Sequence, residues 1–152
     1  MNRQEQATAE RLELAIPPEP GSIAMARIFG ASVARHFGCG EDAVEDVKIA
    51  LSEACTNSVK AHRDNGIDLP IRVIGISRED ELVFEVVDEG PGIDLRKHQL
   101  RADETPPAGL FEGSLGLTVI RSLFPNAEIG PNSDVGTTVR FAVKRDTVIS
   151  LD

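Results

Sequence analysis

Residues 41–62 read EDAVEDVKIALSEACTNSVKAH. Wound at ~100° per residue, Val47, Leu51, Ala54 and Ser58 line up as a small, mostly apolar stripe suited to packing on a sheet. Glu41 and Asp42 suit the first helical turn, where the backbone dipole favours negative charge. The helix closes near His62, ahead of Asn65-Gly66. Glu53 and Asn57, one turn apart, fall just off one edge of the stripe, with Asp46 and Lys60 on their side. A carboxylate and an amide at this spacing bring two oxygens to one point. Mg²⁺ takes oxygen ligands and fills its remaining positions with water and phosphate. A carboxylate there also suits removal of a proton from an attacking hydroxyl. On spacing alone, the pair fits an ordinary solvated helix face better.

Outward from this helix the chain alternates short strands with turns. Leu12, Leu14 and Ile16 alternate with polar or small neighbours, which predicts a strand over 10–17, stopped by Pro17, Pro18 and Pro20. Ser22 is placed to cap a helix over 23–37, ended by Gly38 and Gly40. Strands are predicted over 71–77 and 82–88, joined by a polar turn at 78–81. A short helix over 115–123 ends before Pro125, and two last strands cover 127–129 and 137–144. Helices and strands are not in strict alternation. The expected fold is therefore α+β, a mixed, mostly antiparallel sheet with helices on one face. Residues 10–146 make one domain between a flexible leader, 1–9, and a tail, 147–152.

The bulk numbers narrow the function classes. A length of 152 residues suits one core. A net charge of −9 and a pI near 4.8 argue against direct nucleic-acid binding, which needs a basic face. No apolar run approaches the ~18 residues of a membrane span, and the first ten residues are polar, unlike a secretory signal. Cys39 and Cys55 form no metal-finger spacing, and Cys55 falls in the helical pattern as a small core residue. A reducing, cytoplasmic location is expected.

Three further stretches carry chemistry. Leu82, Phe84, Val86 and Asp88 share one strand face by period two, so Asp88 aims toward the helices. A carboxylate buried there needs a donor; an adenine amine is one, a protein group the plainer alternative. Gly90 and Gly92 follow at once, allowing a sharp turn and close approach to a flat ligand. Gly113, Ser114, Leu115 and Gly116 open the third helix and offer backbone N–H groups to phosphate. This loop lacks the Gly-Lys-Ser/Thr of a Walker A motif. Gly136-Thr137 opens the last strand, where Thr137 faces inward and can bring its hydroxyl near Asp88.

Taken in order, Glu53 and Asn57, Asp88-x-Gly90-x-Gly92, the 113–117 loop and Gly136-Thr137 resemble the GHKL, or histidine-kinase-like, ATPase superfamily. The stretch Ser52-Glu53-Ala54-Cys55-Thr56-Asn57 resembles its branch of bacterial anti-sigma-factor serine/threonine kinases, over roughly residues 10–145. The resemblance implies a Bergerat-type ATP-binding α/β sandwich with ATP and Mg²⁺ as cofactors. Asn57 would hold Mg²⁺ and Glu53 would act as general base. Asp88 would take the adenine amine, with Thr137 assisting through water. Gly90 and Gly92 would let the backbone pass the nucleotide, and Gly113, Ser114, Leu115 and Gly116 would line the phosphates. Arg27 matches an arginine that contacts protein partners in this branch. Those partners would be an alternative sigma factor and a STAS-domain anti-anti-sigma protein, with the kinase a homodimer acting in transcription regulation and stress response.

Two positions depart from the family pattern. Ala61 stands where a histidine is common, with His62 one place later, and Ser114 stands where glycine is common. They keep open a non-catalytic nucleotide-binding partner-switch protein. The residues are also compatible with a detached histidine-kinase catalytic domain and with a plain ATPase.

Overall fold

A computed structural model describes residues 10–91, 117–131 and 136–145. Strand β1 (Glu10–Ile16) leads through a 3₁₀ turn (Pro20–Ser22) into helix α1 (Ile23–His36) and helix α2 (Glu41–Asp64). Strands β2 (Ile71–Ser77) and β3 (Glu81–Asp88) follow. A helical segment α3 (117–123) precedes β4 (Glu128–Pro131) and β5 (Thr137–Lys144). The five strands lie in the order β1-β2-β3-β5-β4. Every pairing between them is antiparallel, so the expected mixed sheet is antiparallel throughout the described strands.

The helix ends follow from glycine. Gly38 and Gly66 have φ of 83° and 66°, a left-handed conformation that only glycine adopts readily. At each, the last open carbonyls are closed by a paired motif. The Cys39 N–H reaches Ala34 O at 2.9 Å and the Gly38 N–H reaches Arg35 O at 3.1 Å. The Ile67 N–H reaches His62 O at 2.8 Å and the Gly66 N–H reaches Arg63 O at 3.3 Å. Helix α2 therefore runs two residues past the expected His62, helped by a Lys60–Asp64 pair of 3.0 Å. The cap expected at Ser22 does not form. Its backbone is already helical at φ −76°, and its buried hydroxyl makes no cap bond, because the 3₁₀ turn delivers the chain into the helix.

Helices α1 and α2 pack closely because α1 presents Ala26, Gly30, Ala31 and Ala34 as its buried face. A Cβ on Gly30 would run into Leu51 Cδ1 and stand 3.2 Å from Val47 Cγ1. The stripe read from the sequence, Val47, Leu51, Ala54 and Ser58, is buried as expected. It meets Leu82, Phe84 and Val86 of β3 and Val139, Phe141 and Val143 of β5 in one core. Phe141 stacks between Phe84 at 5.6 Å and Phe124 at 4.6 Å. Each such side chain contributes roughly 1.5–3 kcal/mol on burial. Ile74, Val83 and Val87, on the opposite sheet face, are also buried. There the charged pairs Arg140–Glu85 (3.7 Å) and Arg72–Glu89 (3.9 Å) flank them.

Two arginines fasten the periphery. The Arg35 guanidinium meets Glu41 at 3.0 and 2.9 Å across the α1–α2 connection. Its hydrogen bonds hold the Glu41 carboxyl below its ordinary range. Arg145 donates to Phe37 O at 2.8 Å and Arg78 O at 3.0 Å, with its guanidinium over the Phe37 ring.

Candidate nucleotide-binding site

Asp88 ends β3 directly opposite Thr137, the first residue of β5. Its inward direction follows from strand period, and it is only 5% exposed. The carboxylate accepts from three donors among the described residues. Ser58 Oγ donates to Oδ2 at 2.7 Å; the Gly90 and Thr137 N–H groups donate to Oδ1, each at 3.1 Å. Charge-assisted bonds of this kind offset the loss of water around a buried carboxylate. The side chain is thus held in one orientation by α2, β5 and its own turn. The contact from Thr137 comes through its backbone N–H, where the sequence pointed to the hydroxyl.

Gly90 is needed for close approach. A Cβ there would lie 3.1 Å from Ala61 Cβ and 3.4 Å from Asp88 Oδ1. The turn after β3 therefore folds directly over the end of α2. Ala61, one of the two departures from the family pattern, is the small residue that faces this glycine.

Helix α2 carries the remaining described residues. Ser58 touches Asp88, and its neighbour Asn57 and, one turn earlier, Glu53 are both half-buried along the same edge. Among the described residues, no three His, Cys, Asp or Glu side chains gather to hold a metal. A cation seated at Asn57 would therefore draw most ligands from phosphate and water, the preference of Mg²⁺. A buried, oriented carboxylate beside a glycine turn and an amide on the adjoining helix fit an adenine nucleotide with its magnesium. Gly92, Gly113, Ser114, Leu115 and Gly116 lie outside the described residues.

Arg27, half-buried on α1, donates from Nη1 to Ser52 Oγ at 3.4 Å, and Ser52 Oγ donates to Lys48 O at 2.7 Å. The residue expected at a partner surface thus touches α2 one position before Glu53. Cys55 is fully buried in the core, and desolvation pushes its thiol up to about 12. It serves packing.

Ser58 and His62 are the site residues that the sequence reading did not single out as functional. The signal was available: both are polar positions one turn apart on the inward stripe of an otherwise apolar face. His62 is fully buried and bonded at both ring nitrogens, to Leu69 O (3.0 Å) and the Glu89 N–H (2.9 Å).

Comparison with known proteins identifies the family. Residues 16–143 match the family model described as a histidine kinase-like ATPase domain. The serine-protein kinase RsbW of Bacillus pumilus is 32% identical over 147 residues, covering 93% of this chain and 91% of the relative. The RsbW kinase of Bacillus subtilis is 34% identical, covering 84% and 82%. Among solved structures, the RsbU and RsbW domains of Rv1364c from Mycobacterium tuberculosis superpose with a TM-score of 0.63 at 16% identity. That match covers 90% of this chain and 32% of the other, and supports the fold. The mycobacterial sensor histidine kinase MprB shares the fold at a TM-score of 0.50 and 12% identity, over 89% of this chain and 97% of that one. With its carboxylate-and-glycine corner and these relatives, the chain belongs to the histidine kinase-like ATPase family and, within it, to the RsbW serine-protein kinase group.

Proposed function

We propose that the chain is an ATP-dependent serine/threonine protein kinase and anti-sigma factor. It sequesters an alternative sigma factor and phosphorylates a serine of a STAS-domain anti-anti-sigma protein. The observation that carries the proposal is Asp88, held at the end of β3 by Ser58, Gly90 and Thr137 with its carboxylate fixed in one orientation. A fixed acceptor of this kind reads the adenine amine, and Gly90 keeps the neighbouring backbone close and free of side-chain bulk. Asn57, on the adjoining helix edge, would hold the magnesium ion. When bound there, the ion would supply charge neutralisation for in-line phosphoryl transfer. Glu53, one turn before Asn57, accepts the proton of the serine hydroxyl as it attacks. Thr137 supports Asp88; by the family resemblance, Gly92 would let the backbone pass the nucleotide, and Gly113, Ser114, Leu115 and Gly116 would line the phosphates.

Arg27 belongs to the partner-facing side of α1. Its hydrogen bond to Ser52 links that side to the helix bearing Glu53. Among the described residues, no helix is long and apolar enough to cross a membrane. A cytoplasmic homodimer binding proteins, with no direct nucleic-acid contact, fits the acidic charge.

The test is an ATP titration with and without Mg²⁺, followed by transfer of labelled phosphate to a STAS-domain acceptor. Glu53→Gln is expected to retain ATP binding and lose at least about a hundredfold in transfer rate. Transfer at the original rate would require a different base. A second reading, nucleotide-gated sequestration without phosphotransfer, is favoured by Ala61 packing against Gly90 where family members often carry histidine. Sigma binding with no labelled product would select it.

A further inference from the structure

We propose that His62 is a positioning residue for base recognition, acting through the Glu89 amide on the turn that follows Asp88. The inference rests on reading Asp88 as the adenine contact and adds a second group that sets its specificity.

His62 and Ser58 lie one turn apart on the inward face of α2. Ser58 grips the Asp88 carboxylate, and His62 grips the next peptide: the Glu89 N–H donates to its Nε2 at 2.9 Å. With Nε2 accepting, Nδ1 carries the proton and donates to Leu69 O at 3.0 Å. The imidazole is therefore neutral, in one tautomer, and wholly enclosed. It fixes Glu89 between two residues that themselves meet, since the Gly90 N–H donates to Asp88 Oδ1 at 3.1 Å. Loss of the acceptor at Nε2 would leave a half-buried amide seeking a partner. The turn would then shift on its glycine and carry the Gly90 donor off Asp88. The peptide tied by His62 directly follows the base-reading carboxylate, so the bond bears on the turn that holds it.

The test compares ATP with ITP, whose base has an oxygen in place of the amine, by affinity measurements in Mg²⁺ on the full chain. His62→Gln places an amide oxygen near the position of Nε2 and keeps the Glu89 bond. His62→Asn keeps a donor for Leu69 and cannot reach Glu89. Each variant's thermal midpoint is followed, so that base preference is read only from folded protein. The preference for ATP over ITP is expected to fall about tenfold in His62→Asn and to stay near the original in His62→Gln. Equal preferences in the two folded variants overturn the inference, whatever their midpoints. Asp88→Asn separates the two levels. If it erases the preference while the His62 variants match each other, Asp88 reads adenine and His62 merely packs. If Asp88→Asn leaves the preference intact, the Asp88 reading falls and the role of His62 falls with it.

Discussion

Asn57 sits half-buried on α2, next in sequence to the serine that is bonded to Asp88. Asn57→Ala removes an oxygen and little volume. ATP binding is expected to lose its dependence on Mg²⁺, with affinity reduced at least about tenfold, read by titration with and without the metal. Unchanged affinity would defeat the magnesium assignment. At this scale the sequence revealed directions better than partners. The inward aim of Asp88 follows from strand period two, and the Asn57–Glu53 edge follows from helical spacing. The Ser58 hydroxyl and the Glu89 amide are 30 and 27 residues from the groups they meet. Their bonds depend on how α2 lies across the end of β3, which no local pattern encodes.

Among the elements, α1 and α2 pack closely at Gly30. Gly30→Val would force a branched side chain against Leu51 and Val47, both fully buried and unable to turn toward solvent. Overpacking should lower stability by about 2 kcal/mol, seen as a shifted urea midpoint at unchanged slope. Phe141→Ala should cost more, about 3–5 kcal/mol, because it empties the centre of the Phe84–Phe141–Phe124 stack. Element ends were legible wherever glycine takes a left-handed backbone, as at Gly38 and Gly66. They were less so at Ser22, because a proline-initiated 3₁₀ turn entered the helix before a side-chain cap was needed. The sheet's antiparallel character at every pairing was half legible. Hairpin turns announce β2–β3 and β4–β5, but the insertion of β5 between β3 and β4 is a property of the whole chain.

For the molecule as a whole, a strongly shifted group in the core makes a pH prediction. The Cys55 thiol ordinarily ionises at 9.0 and in the folded state at about 12, because burial disfavours the thiolate. A folded value above the unfolded one means that this stabilisation is complete below pH 9.0 and is lost as pH rises toward 12. The full effect is roughly 4 kcal/mol. Urea midpoints measured on either side of pH 9.0 should fall in the native protein and fall less in Cys55→Ala. A parallel decline in both would assign alkaline sensitivity elsewhere.

The place of β5 has a temporal side. Ribosomes make a protein from its beginning, yet the last strand of this sheet, residues 137–144, lies inside it, between 81–88 and 128–131. Until that stretch leaves the exit tunnel, β3 carries an open row of amides and carbonyls, and the core lacks Val139, Phe141 and Val143. Maturation thus waits on a late-made segment and a long-range closure, a slow class of event. The nascent protein is most exposed to stray strand pairing, and to chaperone capture, in the interval before residues 137–144 emerge from the tunnel and pair with β3.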